Sequence, residues 1–250
     1  MKNNLFCKIF SIFILCLIVP SKVYSEQFDF KVSEIEILDN GNLFKGLNRG
    51  IIETNSGIII EANNFVYNKI TNILNASGEV KINDKINNYK IFSDKITYKK
   101  NEEIIFTNGN SKAFDNNRNI IEAVNFTYNK NLNTLNAKNN VKVEDLINNY
   151  KLISEEITYN KVEQIIFSTG KTEATIDSQY TFEGTDILFQ LNKKLLSSKN
   201  KTKIKDTNSQ IYLLDEFLYL INESILKGKN IVTISNYGLP KSDKAYFSEA

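Results

Sequence analysis

The side chains best suited to catalysis in this sequence are pairs of adjacent carboxylates, Glu102-Glu103 and Glu155-Glu156. Two carboxylates suffice for glycoside hydrolysis, in which one donates a proton and the other acts as base or nucleophile. Neighbouring residues on a strand, however, face opposite sides of the sheet. The sequence also contains no His, the commonest general base at neutral pH. We therefore interpret both pairs as solvated strand and turn charges and predict no catalytic residue.

A second group of acidic residues recurs near the ends of successive segments of the chain. Stacked carboxylates could bind Ca²⁺, which prefers oxygen ligands. Their spacing lacks the Gly-rich nonapeptides of calcium-binding β-rolls, and Asp is common in turns for its local hydrogen bonds. We predict turn chemistry, with no metal and no cofactor, for Asp84, Asp115, Glu144, Asp145, Asp177 and Asp206.

Residues 1–25 have the pattern of a secretory signal peptide. A basic start is followed by an apolar run from Ile9 to Val19, and we predict cleavage after Ser25. An apolar run of this length is too short to span a membrane comfortably. Both cysteines, Cys7 and Cys16, lie in this segment. The exported part, residues 26–250, is thus predicted to have neither a disulfide nor a Cys-ligated metal.

The charge balance excludes one class of partner. The sequence has 31 basic and 29 acidic residues, so it lacks the basic field of a dedicated nucleic-acid-binding protein. We predict no nucleic-acid partner.

The exported part is an array of repeats. The segment from Ile86 to Tyr98 returns 61 residues later as Ile147 to Tyr159, and each such unit consists of two diverged copies of 30 or 31 residues. The copies align in columns, one of which is aromatic throughout: Tyr67, Tyr98, Tyr128, Tyr159, Phe189 and Tyr219.

The columns predict strands. Apolar residues recur at every second position, as in Phe65/Tyr67 and Val80/Ile82, which is the period of a strand. We expect two strand segments per copy, roughly 57–67 and 72–84 in the first clear one, with one strand added to each of two facing sheets. The predicted fold is all-β, an elongated, bent β-jelly-roll or stacked two-sheet β-solenoid of about seven repeats, ~34 Å long. A turn column requires positive φ: Gly78, Gly109, Asn139, Gly170, Asn200 and Asn230.

Two columns of mostly small residues, represented by Ala62 and Ala76, allow two interpretations. Small residues facing large ones can interdigitate in a filled core. They can also hold two sheets apart along an apolar groove that takes a ligand. The residues alone leave both possibilities open.

The repeat motif resembles the OstA-like domain of lipopolysaccharide transport proteins. In this sequence the motif reads Ile60-Glu-Ala62, Tyr67-Asn-Lys69 and Leu74-Asn-Ala-Ser-Gly-Glu-Val-Lys-Ile-Asn-Asp84, and the similarity covers about residues 28–250. The resemblance implies a jelly-roll whose inner faces hold the acyl chains of lipopolysaccharide. With inward positions assigned by strand alternation, the implied groove residues are Ile60, Ala62, Phe65, Tyr67, Leu74, Ala76, Val80, Ile82, Ile121, Ala123, Phe126, Tyr128, Leu135, Val141, Val143, Ile157 and Tyr159.

The resemblance also implies protein partners. An exposed edge strand would pair with that of an LptA-like periplasmic protein, because unpaired edges are templates for strand addition. Within the family, the opening segment is most similar to LptD-type members, whose outer-membrane β-barrel and lipoprotein plug would then be further partners. We expect an exported protein at the periplasmic face of the Gram-negative outer membrane, with more chain after residue 250. The expected pairing edge contains Phe28, Phe30, Val32, Ile35 and Ile37.

Other interpretations of the repeats remain open. The chain could be an LptA-like bridge, or a ligand-free structural β-solenoid such as an adhesin stalk. Segments of alternating polarity also occur in transmembrane β-barrels, although the paired aromatic girdles are missing. A glycan-cleaving solenoid would need carboxylates that converge in space.

Overall fold

The structure is a computed structural model that describes residues 28–115, 119–145, 147–235 and 245–249. The predicted signal peptide lies outside the described residues. Within them, the chain is almost entirely β, which confirms the predicted fold class. Two 3-10 turns, Asp39–Gly41 and Ile221–Glu223, are the helical elements of these residues, and neither could cross a membrane.

The strands are antiparallel and follow one another closely. In chain order they are β1 (Asp29–Leu38), β2 (Leu43–Glu53), β3 (Ile58–Ala62), β4 (Asn64–Asn68), β5 (Ile73–Asp84), β6 (Tyr89–Lys99), β7 (Ile104–Asn108), β8 (Ser111–Asp115), β9 (Asn119–Ala123), β10 (Asn125–Asn129), β11 (Thr134–Asp145), β12 (Tyr150–Asn160), β13 (Ile165–Ile176), β14 (Tyr180–Thr185), β15 (Leu188–Gln190), β16 (Leu195–Ser198), β17 (Thr202–Asp206), β18 (Ile211–Leu214), β19 (Glu216–Leu220), β20 (Ile225–Lys229), β21 (Ile231–Ser235) and β22 (Ala245–Glu249).

The long strands bend sharply in the middle, and these bends fold the sheet into two walls. In β5 the pairing with β6 shifts between Ser77 and Val80, around Gly78 with φ +80°. The half before the bend pairs with β4 and the half after it pairs with β3. We call the wall that contains β4 the first wall, the wall that contains β3 the second wall, and the line of bends between them the crease.

The predicted turn column lies on the crease. Positive φ values occur there because a bend of this kind needs left-handed backbone, which Gly and Asn adopt at least cost. Asn200 is not among the positive-φ residues. The expected conformation is found at five of the six predicted positions, namely Gly78, Gly109, Asn139, Gly170 and Asn230.

Two details of the predicted strands are wrong. The segment predicted as one strand over 57–67 is broken at Asn63, whose N–H leaves the ladder and donates to the carbonyl of Gly78 across the crease. Each copy also contributes two segments to each wall, because the chain turns back at the outer margin of each wall before it crosses the crease again. At ~4.8 Å per strand the array is therefore about 60 Å long rather than ~34 Å.

Candidate functional site

The predicted groove residues all face the space between the walls. All seventeen are buried, and the most exposed of them, Ala123, retains 8% of its accessible surface. Aromatic rings from opposite walls touch at intervals: ring centroids are 4.7 Å apart for Phe28 and Tyr67, and 5.0 Å apart for Tyr89 and Tyr128. The interior in this structure is therefore apolar, continuous and closed to solvent over these residues.

The two small columns flank the crease, where the walls converge. Hydroxyl groups from both columns hydrogen-bond there: Ser93 Oγ lies 3.2 Å from Ser111 Oγ, which lies 2.6 Å from Thr107 Oγ1. A Cβ built on Gly184 would approach Thr202 Oγ1 to 2.7 Å. Close approach at the crease thus accounts for the small residues, which supports the interdigitation interpretation of these columns.

The margin opposite the crease, which we call the rim, is held shut by polar side chains. Asp84 in the second wall accepts a hydrogen bond of 2.7 Å from the hydroxyl of Tyr128 in the first wall. The amide of Asn87 donates both to the Tyr128 hydroxyl and to the carbonyl of Lys130 across the rim. Asp84 also caps its own turn, accepting from the backbone N–H groups of Ile86 and Asn87.

One copy later the same contact includes a buried ion pair. The Tyr159 hydroxyl donates to Asp115 Oδ2 at 2.5 Å, and Lys161 Nζ lies 2.5 Å from Asp115 Oδ1. Both charged side chains are about nine-tenths buried or more. Lys161 also donates to the carbonyl of Asn87 and lies 4.5 Å from the ring centroid of Tyr89.

One copy earlier the contact uses a different set of groups. Lys100 Nζ donates to Glu103 Oε1 at 2.5 Å and to Ser56 Oγ of the other wall at 3.0 Å. The Tyr98 hydroxyl donates to Glu103 Oε2. We refer to these three sets of contacts, between residues 54 and 161, as the seam.

The seam raises the pKa values of its tyrosines. Burial is the largest cause for Tyr89, Tyr128 and Tyr159. The negative charges of Asp84 and Asp115 act in the same direction, because a second negative charge beside them is unfavourable. These hydroxyls therefore stay protonated, and able to donate, well above the usual tyrosine range.

The seam ends after Lys161, and the next rim position has different side chains. The position matching Tyr128 is Phe189, which has no hydroxyl, and the position matching Asp84 is Ile176 in the next second-wall segment. A pocket of about 360 Å³ lies between the rims at this place. We call it the gap; its lining includes Tyr150, Ile176, Phe189, Leu191, Lys194 and Ile221.

The predicted pairing edge is the outer strand of the array. Among the described residues, β1 pairs only with β2. Phe28 precedes this strand and is buried, whereas Phe30 and Val32 pack partly against the core. Ile35 and Ile37 lie opposite Gly46 and Phe44 and so share the inner face, yet they are 44% and 58% exposed. The inner face is thus uncovered at this end of the first wall.

The paired carboxylates do not converge. Glu103 belongs to the seam, whereas its neighbour Glu102 contacts the exposed Lys99. Glu156 lies 3.0 Å from Lys138 on an outer face. Within the described ranges, no group of three His, Cys, Asp or Glu side chains is arranged to hold a metal ion.

The contacts of the seam are not predicted from the sequence, although several of their residues are assigned other roles. Asp84 and Asp115 were assigned to turns, and Tyr128 and Tyr159 to a lipid groove. The available signal was the constant offset of 44 residues between each Asp and the Tyr that it binds.

Comparisons with known proteins gave a partial structural similarity. No family model and no curated protein sequence matches the chain. Among solved structures, the chain is similar to LptH from Pseudomonas aeruginosa, described as the LptA-homologous periplasmic component of the conserved lipopolysaccharide transport device. The two share 13% sequence identity with a TM-score of 0.42, over 46% of this chain and 83% of LptH.

Proposed function

We propose that this chain holds the acyl chains of lipopolysaccharide between its two walls and guides the lipid across the periplasm. The observation that carries the proposal is the form of the interior: an unbroken apolar layer between walls that the backbone joins along one side only. On the other side, side chains alone close the rim. The walls can therefore separate about the crease without breaking the sheet.

Transport by such a layer is passive. Transfer of an acyl chain from water into the interior gains about 0.8 kcal/mol per CH₂ group. Successive copies offer nearly the same side chains, as the pairs Ile60/Ile121 and Phe65/Phe126 illustrate. A lipid moving from one copy to the next therefore meets sites of similar affinity, and the direction of movement must come from elsewhere in the pathway.

The proposal includes partners and a place in the cell. The inner face at Ile35 and Ile37, together with the edge of β1 that no described strand covers, suits strand addition by an LptA-like periplasmic protein. In keeping with the resemblance of the repeats, we propose export through residues 1–25 and a location at the periplasmic face of the outer membrane. The LptD-type assignment, with a barrel and lipoprotein plug as partners, and the LptA-like bridge are two forms of this proposal.

Site-specific photocrosslinking in cells tests the lipid assignment. A photoreactive phenylalanine analogue at Val143, which is fully buried, is expected to crosslink lipopolysaccharide. The neighbouring Lys142 side chain is 39% exposed on the outer face and provides the matched control, expected to give none. Equal crosslinking at both positions, or none at Val143 in a folded protein, would contradict the proposal. A charged residue at Ala123 is expected to reduce the Val143 signal.

A ligand-free structural solenoid is the second candidate. It is favoured by the closed interior, in which Tyr150 and Phe189 from opposite walls lie 4.6 Å apart. A scaffold of this kind needs no separation of the walls. It predicts no crosslinking at Val143, so the same experiment distinguishes the two functions.

A further inference from the structure

Three rim columns change chemistry together at one place in the array. The aromatic column changes from Tyr159 to Phe189, and the residue two positions later changes from Lys161 to Leu191. In the facing wall, the acidic column changes from Asp145 to Ile176. At Asp115, Tyr159 and Lys161 the three columns supply a carboxylate, a hydroxyl and a cation to one rim contact. The three changes remove one group of each kind, and Asp206 and Tyr219 restore two of these types in the next copy.

The altered side chains meet in space. Ile176 of the second wall and Phe189, Leu191 and Ile221 of the first wall all line the gap. Ile221 continues the column of Lys161 and Leu191 into the next copy. The pocket of about 360 Å³ lies at the lower end of the range for small-molecule sites. Within one copy, the rim thus passes from a hydrogen-bonded closure to a pocket in which buried apolar side chains lie beneath polar ones.

We propose that the gap is the place where a single lipid hydrocarbon tail passes between solvent and the interior. This inference rests on the proposed function and assigns its point of access. The tail would displace the ring contact between Phe189 and Tyr150, pass Leu191 and Ile176, and reach the buried layer behind them, which includes Leu152 and Ile157. Along the seam, by contrast, entry of a tail would require buried hydrogen bonds and the Asp115–Lys161 ion pair to break.

The polar groups at the gap indicate that the tail, rather than the head-group charge, is recognised. Lys194 and Asp177 both line the pocket, so one cation is offset by one anion. The remaining polar side chains are the Tyr150 hydroxyl, which donates to Asn119, and the amides of Asn148, Asn149 and Asn222, which donate and accept equally well. An anionic and a neutral head group should therefore be tolerated alike.

A reciprocal pair of substitutions tests the assignment. Phe189→Tyr places a hydroxyl opposite Asp145, which is held in its turn by the same backbone contacts as Asp84. This variant is expected to close the gap. Tyr128→Phe removes the corresponding hydroxyl from the seam and should open a second gap beside Asp84. Phe167→Tyr is the control, since it adds the same hydroxyl on the exposed outer face, away from the gap.

The probes are a fatty acid with a diazirine in its tail and a neutral monoacylglycerol with the same tail, added to the purified chain. Crosslinked peptides are identified by mass spectrometry. In the unaltered protein both probes should label residues 147–150 and 189–194. Phe189→Tyr should reduce this labelling about fivefold, the population change expected from one net buried hydrogen bond. Phe167→Tyr should retain it, and Tyr128→Phe should add labelling near residues 84–88.

Each contrary result overturns a specific statement. Labelling spread evenly along the rim, or unchanged by Phe189→Tyr, refutes the gap as the point of access. Labelling by the fatty acid alone refutes recognition of the tail irrespective of charge. The Val143 photocrosslink reports separately on lipopolysaccharide transport. If Val143 crosslinks lipopolysaccharide but Phe189→Tyr leaves the labelling at the gap unchanged, the transport proposal stands and the gap is refuted. If labelling at the gap changes as expected but Val143 does not crosslink, the gap is a lipid pocket and the transport proposal is refuted.

Discussion

The rim of the array differs between its two halves although the walls behind it do not. Over residues 54–161, tyrosine, carboxylate and lysine side chains join the walls. Within residues 176–222, Ile176, Phe189, Leu191 and Ile221 take matching positions beside the gap, whereas Asp206 and Tyr219 restore the polar residue types further along. The crease and the alternating burial of the strands continue through both halves. The fold is thus specified at the crease and interior, and closure of the rim is a separate, local property.

The largest expected effect breaks the closed half at its buried ion pair. Asp115→Ala leaves Lys161 buried without its counter-ion and should lower the free energy of unfolding by about 3–5 kcal/mol. Urea denaturation measures this loss. The exposed Glu183–Lys203 pair is the control, since Glu183→Ala should cost less than about 1 kcal/mol. Equal losses for the two variants would mean that the seam contributes no more than a surface pair.

Alkaline pH should weaken the closed half selectively. The pKa values of Tyr89, Tyr128 and Tyr159 are raised by folding, so above pH 10 these residues ionise in the unfolded chain before they do so in the folded one. Below pH 10 these tyrosines do not change the free energy of unfolding with pH. Above pH 10 each of them lowers it by up to about 1.4 kcal/mol per pH unit. Unfolding by urea between pH 8 and 11 measures the slope. The slope should be shallower in Tyr159→Phe; an unchanged slope would contradict the assignment.

A smaller effect is expected when one seam hydroxyl is removed. Tyr128→Phe deletes the donor to Asp84 but leaves the donation from Asn87 to the same carboxylate. The free energy of unfolding should fall by about 1–2 kcal/mol. The denaturant m-value should not change, because the surface exposed on unfolding is the same. A loss above about 3 kcal/mol would indicate that the seam acts as a unit rather than bond by bond.

The smallest effect is the conversion of the open half toward the closed one. Phe189→Tyr should raise the free energy of unfolding by about 0.5–1.5 kcal/mol if its hydroxyl reaches Asp145. Thermal unfolding measures the change, with Phe167→Tyr as control because Phe167 is 39% exposed on the outer face. Destabilisation by Phe189→Tyr would show that the two rims are too far apart to join.

The interior and the crease could be predicted from sequence because each depends on local patterning. Alternation at spacing two placed Leu74, Ala76 and Val80 on the buried face, and the need for left-handed backbone marked Gly78 as a bend. The number of segments per wall was underestimated. A bend within a strand and a turn between strands both use Gly and Asn. The sequence therefore does not show whether the chain bends at the crease or turns back at such a residue.

The seam could not be predicted with the same tools, because its partners lie in different walls. Asp84 and Asp145 end equivalent strands and cap equivalent turns. They differ in what faces them across the rim, Tyr128 or Phe189. This difference of one oxygen atom is visible in the aligned copies. Its structural effect can be inferred only when it is known which residues of the two walls lie opposite each other.

The 44-residue offset of the seam has a consequence for how the array assembles. The hydrogen bond of each Asp can form only after the chain has been extended by about one and a half further copies, where its tyrosine partner lies. As the polypeptide is synthesised, hairpins can form as soon as their residues are available, whereas the seam contacts form only after further residues have been added. The rim of each copy is thus stabilised by side chains that are synthesised later. The most recently synthesised copy lacks these contacts until the following residues have been added.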